Sequence, residues 1–169
     1  MQAVWGAILA GEINQPGSIS KKSLSILADL EKEDLEAFER LCARCIGGTA
    51  GNGVTYDPIP LLIGPQEPFV MDPDDMDRLG SAGIIDFDLG TGSVTNRLYD
   101  CSNGLFVQVG ETTYALRGDS NRKLPIPYRP LTKHGRELAK FCTLGNADGY
   151  ADALVAHWMK MGFEVGTDI

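Results

Sequence analysis

The chain has 169 residues, 43% hydrophobic and 22% charged, with a formal net charge of −8, which allows one sizeable domain or two small ones of ordinary globular composition. No apolar run approaches the roughly 20 residues of a bilayer span, and the start "MQAVWGAILAGEI" lacks the positive region of a secretory signal. An acidic chain is repelled by phosphate backbones, and four cysteines are too few for a disulfide framework, so a cytoplasmic protein without a nucleic-acid default partner is expected.

Residues 2–14 read as a helix with almost no polar face. Val4, Trp5, Ile8, Leu9 and Ile13 form a stripe of large residues, and Gly6, Ala7, Ala10 and Gly11 a stripe of small ones. Such a helix is expected to be buried between neighbours, and the small stripe lets another helix come close. It begins without a capping residue, which suggests further chain upstream or a covering partner. Pro16-Gly17 marks a turn. Ser18 or Ser20 caps a second helix to about Leu30, with Ile19, Leu24 and Leu27 inward. A third runs from Lys32 to Ile46, burying Leu35, Phe38, Leu41, Cys42 and Cys45, and Gly47-Gly48 ends it. The segment "GGTAGNGVTYDPIP" reads as a loop without the Gly-Lys-Ser/Thr ending of a phosphate loop.

Asp72 is a predicted N-cap, with Pro73 at the first helical position and Asp74, Asp75 and Asp77 suited to the positive end of the helix. Candidate strands follow at 84–89, 94–101, 105–109 and 112–116, with Asn103-Gly104 as the hairpin signal and 125–131 as an edge strand tolerant of proline. Thr132 is expected to cap a helix to about Cys142. The last helix places Tyr150, Leu154, Trp158 and Met161 on one face and stops at Gly162, before a short strand at 163–165.

Two patches carry a resemblance. "WGAILAGEINQPGSISKKSLSILADLEKEDLEAFERLC" resembles a bacterial family known as domain of unknown function 2806. The shared features are Trp5-Gly6, Leu9 to Glu12, Pro16-Gly17, and Ser18 or Ser20. "LTKHGREL", Leu131 to Leu138, is similar to the family's Leu-Thr-x-x-Gly-x-Glu-Leu segment, a pattern that also occurs in winged-helix proteins. The resemblance covers about a third of the chain and implies no activity.

Glu12 is either a catalytic acid or an anchor. It precedes a turn and a helix whose first amides need acceptors, and no partner group lies near it in sequence. The expected role is therefore to accept hydrogen bonds from residues 18–22, with Trp5 buried beside it. Cys42-x-x-Cys45 with Cys101 and Cys142 would make a zinc set only with unusual spacing, because a second Cys-x-x-Cys is missing. No structural zinc, cofactor or disulfide is expected. His134 and His157 have no neighbouring nucleophile in sequence, which leaves a site assembled in space as the enzymatic alternative. Between Arg117 and Lys140, seven Lys/Arg face only Asp119 and Glu137. Arg117, Arg122, Lys123, Arg129, Lys133 and Arg136 thus form a candidate docking patch for an acidic partner. The helix before the strands carries four aspartates and only Arg78, the wrong chemistry for reading DNA. A winged-helix-like nucleic-acid module acting through 117–140 is the first alternative, and the enzyme with a spatially assembled site the second.

These readings combine into an α+β chain. Residues 1–48 are expected to form a helical layer, 49–71 a linker loop, and 72–169 a helix, an antiparallel meander and C-terminal helices, all in one compact unit. The expected function is a non-enzymatic protein-interaction or regulatory module of a bacterial cytoplasmic protein, able to self-associate, with no catalytic, cofactor or metal residues.

Overall fold

The computed structural model describes residues 6, 10–11, 13–50, 55–60, 72–86, 95–119, 122–128 and 131–167. Residues 6, 10, 11, 13 and 14 are helical, and after them come the helices α1 (Lys21–Asp29), α2 (Lys32–Cys42), α3 (Pro73–Ser81), α4 (Lys133–Ala139) and α5 (Tyr150–Lys160). The strands are β1 (Cys45–Ala50), β2 (Thr55–Pro60), β3 (Thr95–Asp100), β4 (Leu105–Val109), β5 (Thr112–Arg117), β6 (Lys123–Tyr128) and β7 (Glu164–Thr167). Every pairing between named strands is antiparallel, and the fold is α+β.

Local chemistry accounts for the helix starts. Ser20, in an extended conformation, caps α1 by accepting the Ser23 amide at 3.2 Å. Asp72 accepts from the Asp74 amide at 2.9 Å, with Pro73 opening α3. Thr132 Oγ1 accepts from the Gly135 amide at 3.0 Å and donates to the Gly83 carbonyl at 2.6 Å, so one hydroxyl caps α4 and fastens it to the turn after α3. Ile85 and Leu131 meet in an isolated antiparallel bridge beside this contact.

The strands sort differently from the expected meander. The larger sheet has the order β2-β1-β4-β5-β7, and β3 pairs with β6 in a separate two-stranded sheet. Asn103-Gly104 does form the predicted turn, with Gly104 at φ 85° and its amide on the Cys101 carbonyl. The turn carries the chain from one sheet to the other and does not close a hairpin. The stretch read as a loop after the third helix also changes. Helix α2 stops at Cys42, Gly47 and Gly48 lie within β1, and β2 occupies Thr55–Pro60 inside the expected linker. Glycine and proline mask the alternation that reveals a strand, and here β1 gains its register from β4, with Gly47 opposite Gln108 and Gly48 opposite Val107. The predicted strand at 84–89 is reduced, among the described residues, to the Ile85 bridge. Pro125 and Pro127 are accommodated because β6 has a single neighbour, β3.

Two hydrophobic clusters result. The helical one gathers Leu27, Leu35, Phe38, Leu41, Leu79, Ile84 and Leu138. The second joins Leu105, Val107 and Leu116 of the sheet to Tyr150, Leu154 and Trp158 of α5, with Tyr114 edge-on to Trp158 at 6.3 Å. Cys45 belongs to the first and Ile46 to the second, so the start of β1 is the seam between them. No helix among the described residues is long and apolar enough to cross a membrane.

Helices α2 and α3 are also joined by charge. Arg40 grips Asp75 in a bidentate pair, Nε to Oδ2 and Nη2 to Oδ1 at 2.7 Å each. The Asp75 side chain is only 11% exposed. Replacing it strands a guanidinium that is itself half in water, so the loss is that of charge-assisted hydrogen bonds and not of a fully buried ion pair. Asp75→Ala is expected to lower stability by about 1–3 kcal/mol, read as a lower urea midpoint with an unchanged slope. An unchanged midpoint would show that the pair contributes nothing.

Candidate functional site

The densest polar constellation among the described residues lies where the N-terminus of α1 meets α4. Ser20 is the cap and Ser23 the third residue of α1. His134 and Glu137 project from α4, one helical turn apart. Ser23 is fully buried. Its Oγ lies 2.6 Å from Glu137 Oε2, 2.9 Å from His134 Nδ1 and 2.9 Å from Ser20 Oγ. The Ser20 amide donates to the same Glu137 oxygen at 3.0 Å.

A count of protons assigns the roles. Hydrogen bonds from the Ser23 hydroxyl, then from the Ser20 hydroxyl and amide, hold the Glu137 carboxyl down at about 2, against an ordinary 4.5. Glu137 is therefore an ionised acceptor. The single Ser23 proton goes to it over the shortest bond in the cluster. With that proton committed, Ser23 Oγ faces His134 Nδ1 as an acceptor. This assigns a proton to His134 Nδ1.

That arrangement is the reverse of a hydrolytic triad, in which imidazole takes the serine proton. Here the imidazole donates to serine, the carboxylate holds the serine proton, and burial shields the hydroxyl from substrate. What the cluster does well is to complete a capping box from a distance. In a local box the third residue of a helix returns a carboxylate to the cap amide. In α1 that position holds Ser23, and Glu137 supplies the carboxylate from 117 residues away.

The Ser20 amide is met by Glu137, and the anchoring expected of Glu12 and the burial expected of Trp5 fall on residues outside those described. The "LTKHGREL" segment is explained by contacts. Leu131 bridges Ile85, Thr132 binds Gly83, and Gly135 sits so close to the Ile84 carbonyl that a β-carbon would collide with it. Glu137 caps α1, and Leu138 is buried. Sequence reading missed the cluster because Ser20 and Ser23 stand more than 100 residues from α4.

Cations of the expected docking patch are partly engaged within the chain. Arg122 donates to the Gly162 and Met161 carbonyls at 2.7 and 3.3 Å, closing the C-terminal end of α5. Arg136 donates to the Leu131 carbonyl at 2.8 Å. Arg117 stands opposite Glu164, and Lys123 opposite Asp100, in their strand registers. Lys133 is exposed beside Glu137, and Arg129 lies outside the described residues. The cysteines also separate, with Cys42, Cys45 and Cys142 at the helical core and Cys101 in the other. Among the described residues no group of three or more His, Cys, Asp or Glu is arranged to hold a metal ion. An open groove of about 630 Å³ runs along α1 and α3, lined by Lys22, Ile26, Asp29, Asp34, Asp77 and Arg78 among others. Neither histidine reaches it.

The lowered pKa of Glu137 sets a pH dependence. Its contribution is fully present above pH 4.5 and is lost as the pH falls toward about 2. Glu137→Gln keeps the hydrogen-bonding shape and removes the charge. The variant is expected to unfold at lower urea than the parent at pH 7, and the gap is expected to close between pH 4.5 and 2. A gap independent of pH would show that the carboxylate charge is not what anchors α1.

A family model described as "Protein of unknown function (DUF2806)" matches residues 1–50, a span that covers α1, α2 and β1. The "LTKHGREL" segment lies beyond it. No curated protein and no solved structure matches the chain. Over residues 1–50, less than a third of its length, the chain is similar to the DUF2806 family of proteins of unknown function.

Proposed function

We propose that this chain is a non-enzymatic protein-interaction module that associates through the helix preceding α1. The supporting observation is Ile13, a large apolar residue left 77% exposed. Gly6 and Ala10 are helical and exposed as well. At 100° per residue, positions 6, 10 and 13 fall on one side of a helix and position 11 on the other. Gly11 is seated against the Phe141 ring, where a β-carbon would collide. One side of the helix thus meets the body of the protein, while the opposite side presents two small residues and an isoleucine suited to the close approach of another helix.

The partner in this reading is a protein, and a second copy is the simplest case. The reading includes a bacterial cytoplasmic setting, which rests on the sequence and on the family resemblance. The burial of the Ser23 hydroxyl and its bond to Glu137 support a structural role for the Ser–His–carboxylate cluster seen among the described residues and so weigh against an enzyme. Nucleic acid is less well supported, because Arg122 and Arg136 direct their guanidinium groups to main-chain carbonyls and the chain is acidic overall.

Light scattering across a concentration series tests the proposal. The expected result is a concentration-dependent dimer for the parent and a monomer for Ile13→Lys, with the same melting temperature for both. A parent that stays monomeric, captures no protein from its host and retains nucleic acid would overturn it.

A further inference from the structure

The end of α2 and the turn after α4 bring two thiols together. Cys42 closes α2 and is 1% exposed. Cys142 follows α4, is half-buried, and lies against the same core cluster. The backbone fixes this neighbourhood, since the Gly145 amide donates to the Cys42 carbonyl at 3.0 Å and the Ala147 amide to the Ala43 carbonyl at 3.2 Å. Within it the Cys42 and Cys142 side chains are near enough to influence each other's charge, and the Cys142 thiol donates to the Leu138 carbonyl at 4.0 Å. Cys45 also lies nearby, but its thiol donates to the Leu41 carbonyl at 3.4 Å. Cys101 belongs to the other core and donates to the Tyr99 carbonyl at 3.6 Å.

We propose that Cys142 and Cys42 are an oxidisable pair, closed by hydrogen peroxide into an intramolecular disulfide that fastens the turn after α4 to the end of α2. Cys142, the more accessible sulfur, reacts first. As its thiolate, it attacks one peroxide oxygen and the O–O bond breaks, giving a sulfenic acid. The released hydroxide and the thiol proton form water. The Cys42 sulfur then attacks the Cys142 sulfur. The S–S bond forms, the S–O bond breaks, and the departing hydroxide takes the Cys42 proton to form a second water. Two thiols and one peroxide become one disulfide and two waters, the peroxide gaining the two electrons that the sulfurs lose.

The order of attack follows from the surroundings. Contact with Cys142 and burial keep the Cys42 thiol protonated well above its usual range, and burial pushes Cys45 up to about 12. Neither is a good first nucleophile toward peroxide. The bond would also stiffen the seat of the N-terminal helix, because Phe141, which receives Gly11, is the residue before Cys142. The proposal does not depend on the interaction reading.

The test uses the folded parent protein. After a small excess of hydrogen peroxide, free thiols are blocked, and the chain is digested without reductant and mapped by mass spectrometry. The expected result is a peptide pair linked through Cys42 and Cys142, a fall in free thiols from the four of the reduced chain to two, and a monomeric band on a non-reducing gel. Cys101→Ser is expected to leave the link intact. Cys42→Ser is expected to leave Cys142 as a sulfenic acid that dimedone traps. The absence of the linked pair in the parent protein overturns the proposal. So does a link through Cys45, a link between two chains, or over-oxidation of Cys142 without pairing.

Discussion

The carboxylate of Glu137 holds the two ends of the helical half together. Helix α1 begins with amide donors that nothing in its own first turn can fully satisfy, since its third residue is a serine. An ionised carboxylate placed there answers both needs, accepting the Ser20 amide and the Ser23 hydroxyl and adding a negative charge at the positive end of the helix. To bring Glu137 to that point, α4 must lie against α1. Thr132, Gly135 and Leu131 then fix α4 against the turn after α3. The hydrogen-bond ladder and the helical core are thus two expressions of one arrangement. Apolar burial supplies the larger driving force, and the polar contacts select which helix ends meet.

The second organising element is the short stretch from Cys42 to Ile46. Its carbonyls at Cys42, Ala43 and Arg44 receive the Gly145 amide, the Ala147 amide and the Tyr150 hydroxyl in turn. The same stretch passes from the helical core at Cys45 to the sheet core at Ile46. A buried backbone carbonyl without a partner is costly, so the segment leading into α5 is held to the seam and carries α5 over the sheet. The two halves are coupled through the backbone as well as through side chains.

Charge is used differently in the two halves. In the helical half, ion pairs between Arg40 and Asp75 and between Arg78 and Asp34 tie α2 to α3. In the other half, arginine closes helix and strand ends, as Arg122 does for α5. Positive charge directed to main-chain carbonyls stabilises the chain that bears it and leaves less field for a partner. Among the described residues Ile13, Leu98 and Met159 are the large apolar side chains left exposed, Ile13 the most so.

The sequence by itself determined the α+β class, the caps at Asp72 and Thr132, a serine cap narrowed to Ser18 or Ser20, the strands β4 and β5, and the buried face of α5. Each of these is set by residues within one or two turns of one another, where periodicity and capping chemistry act directly. Strand partners were decided only in the tertiary structure. The Asn103-Gly104 turn is legible, but whether its flanking strands pair depends on which distant strand competes for them, and β6 and β1 win. The glycine-rich strand β1 was hidden because it has little side-chain pattern of its own and borrows its register from β4. The cluster of Ser20, Ser23, His134 and Glu137 was hidden for a related reason. A serine at a helix start and a glutamate on another helix are each unremarkable, and only the packing of α4 on α1 brings them to 2.6 Å. Nor could residue types alone assign the roles, since serine, histidine and a carboxylate suit a triad or an anchor equally. What the tertiary structure adds is that the Ser23 hydroxyl is buried and donates to Glu137, which also accepts the Ser20 amide.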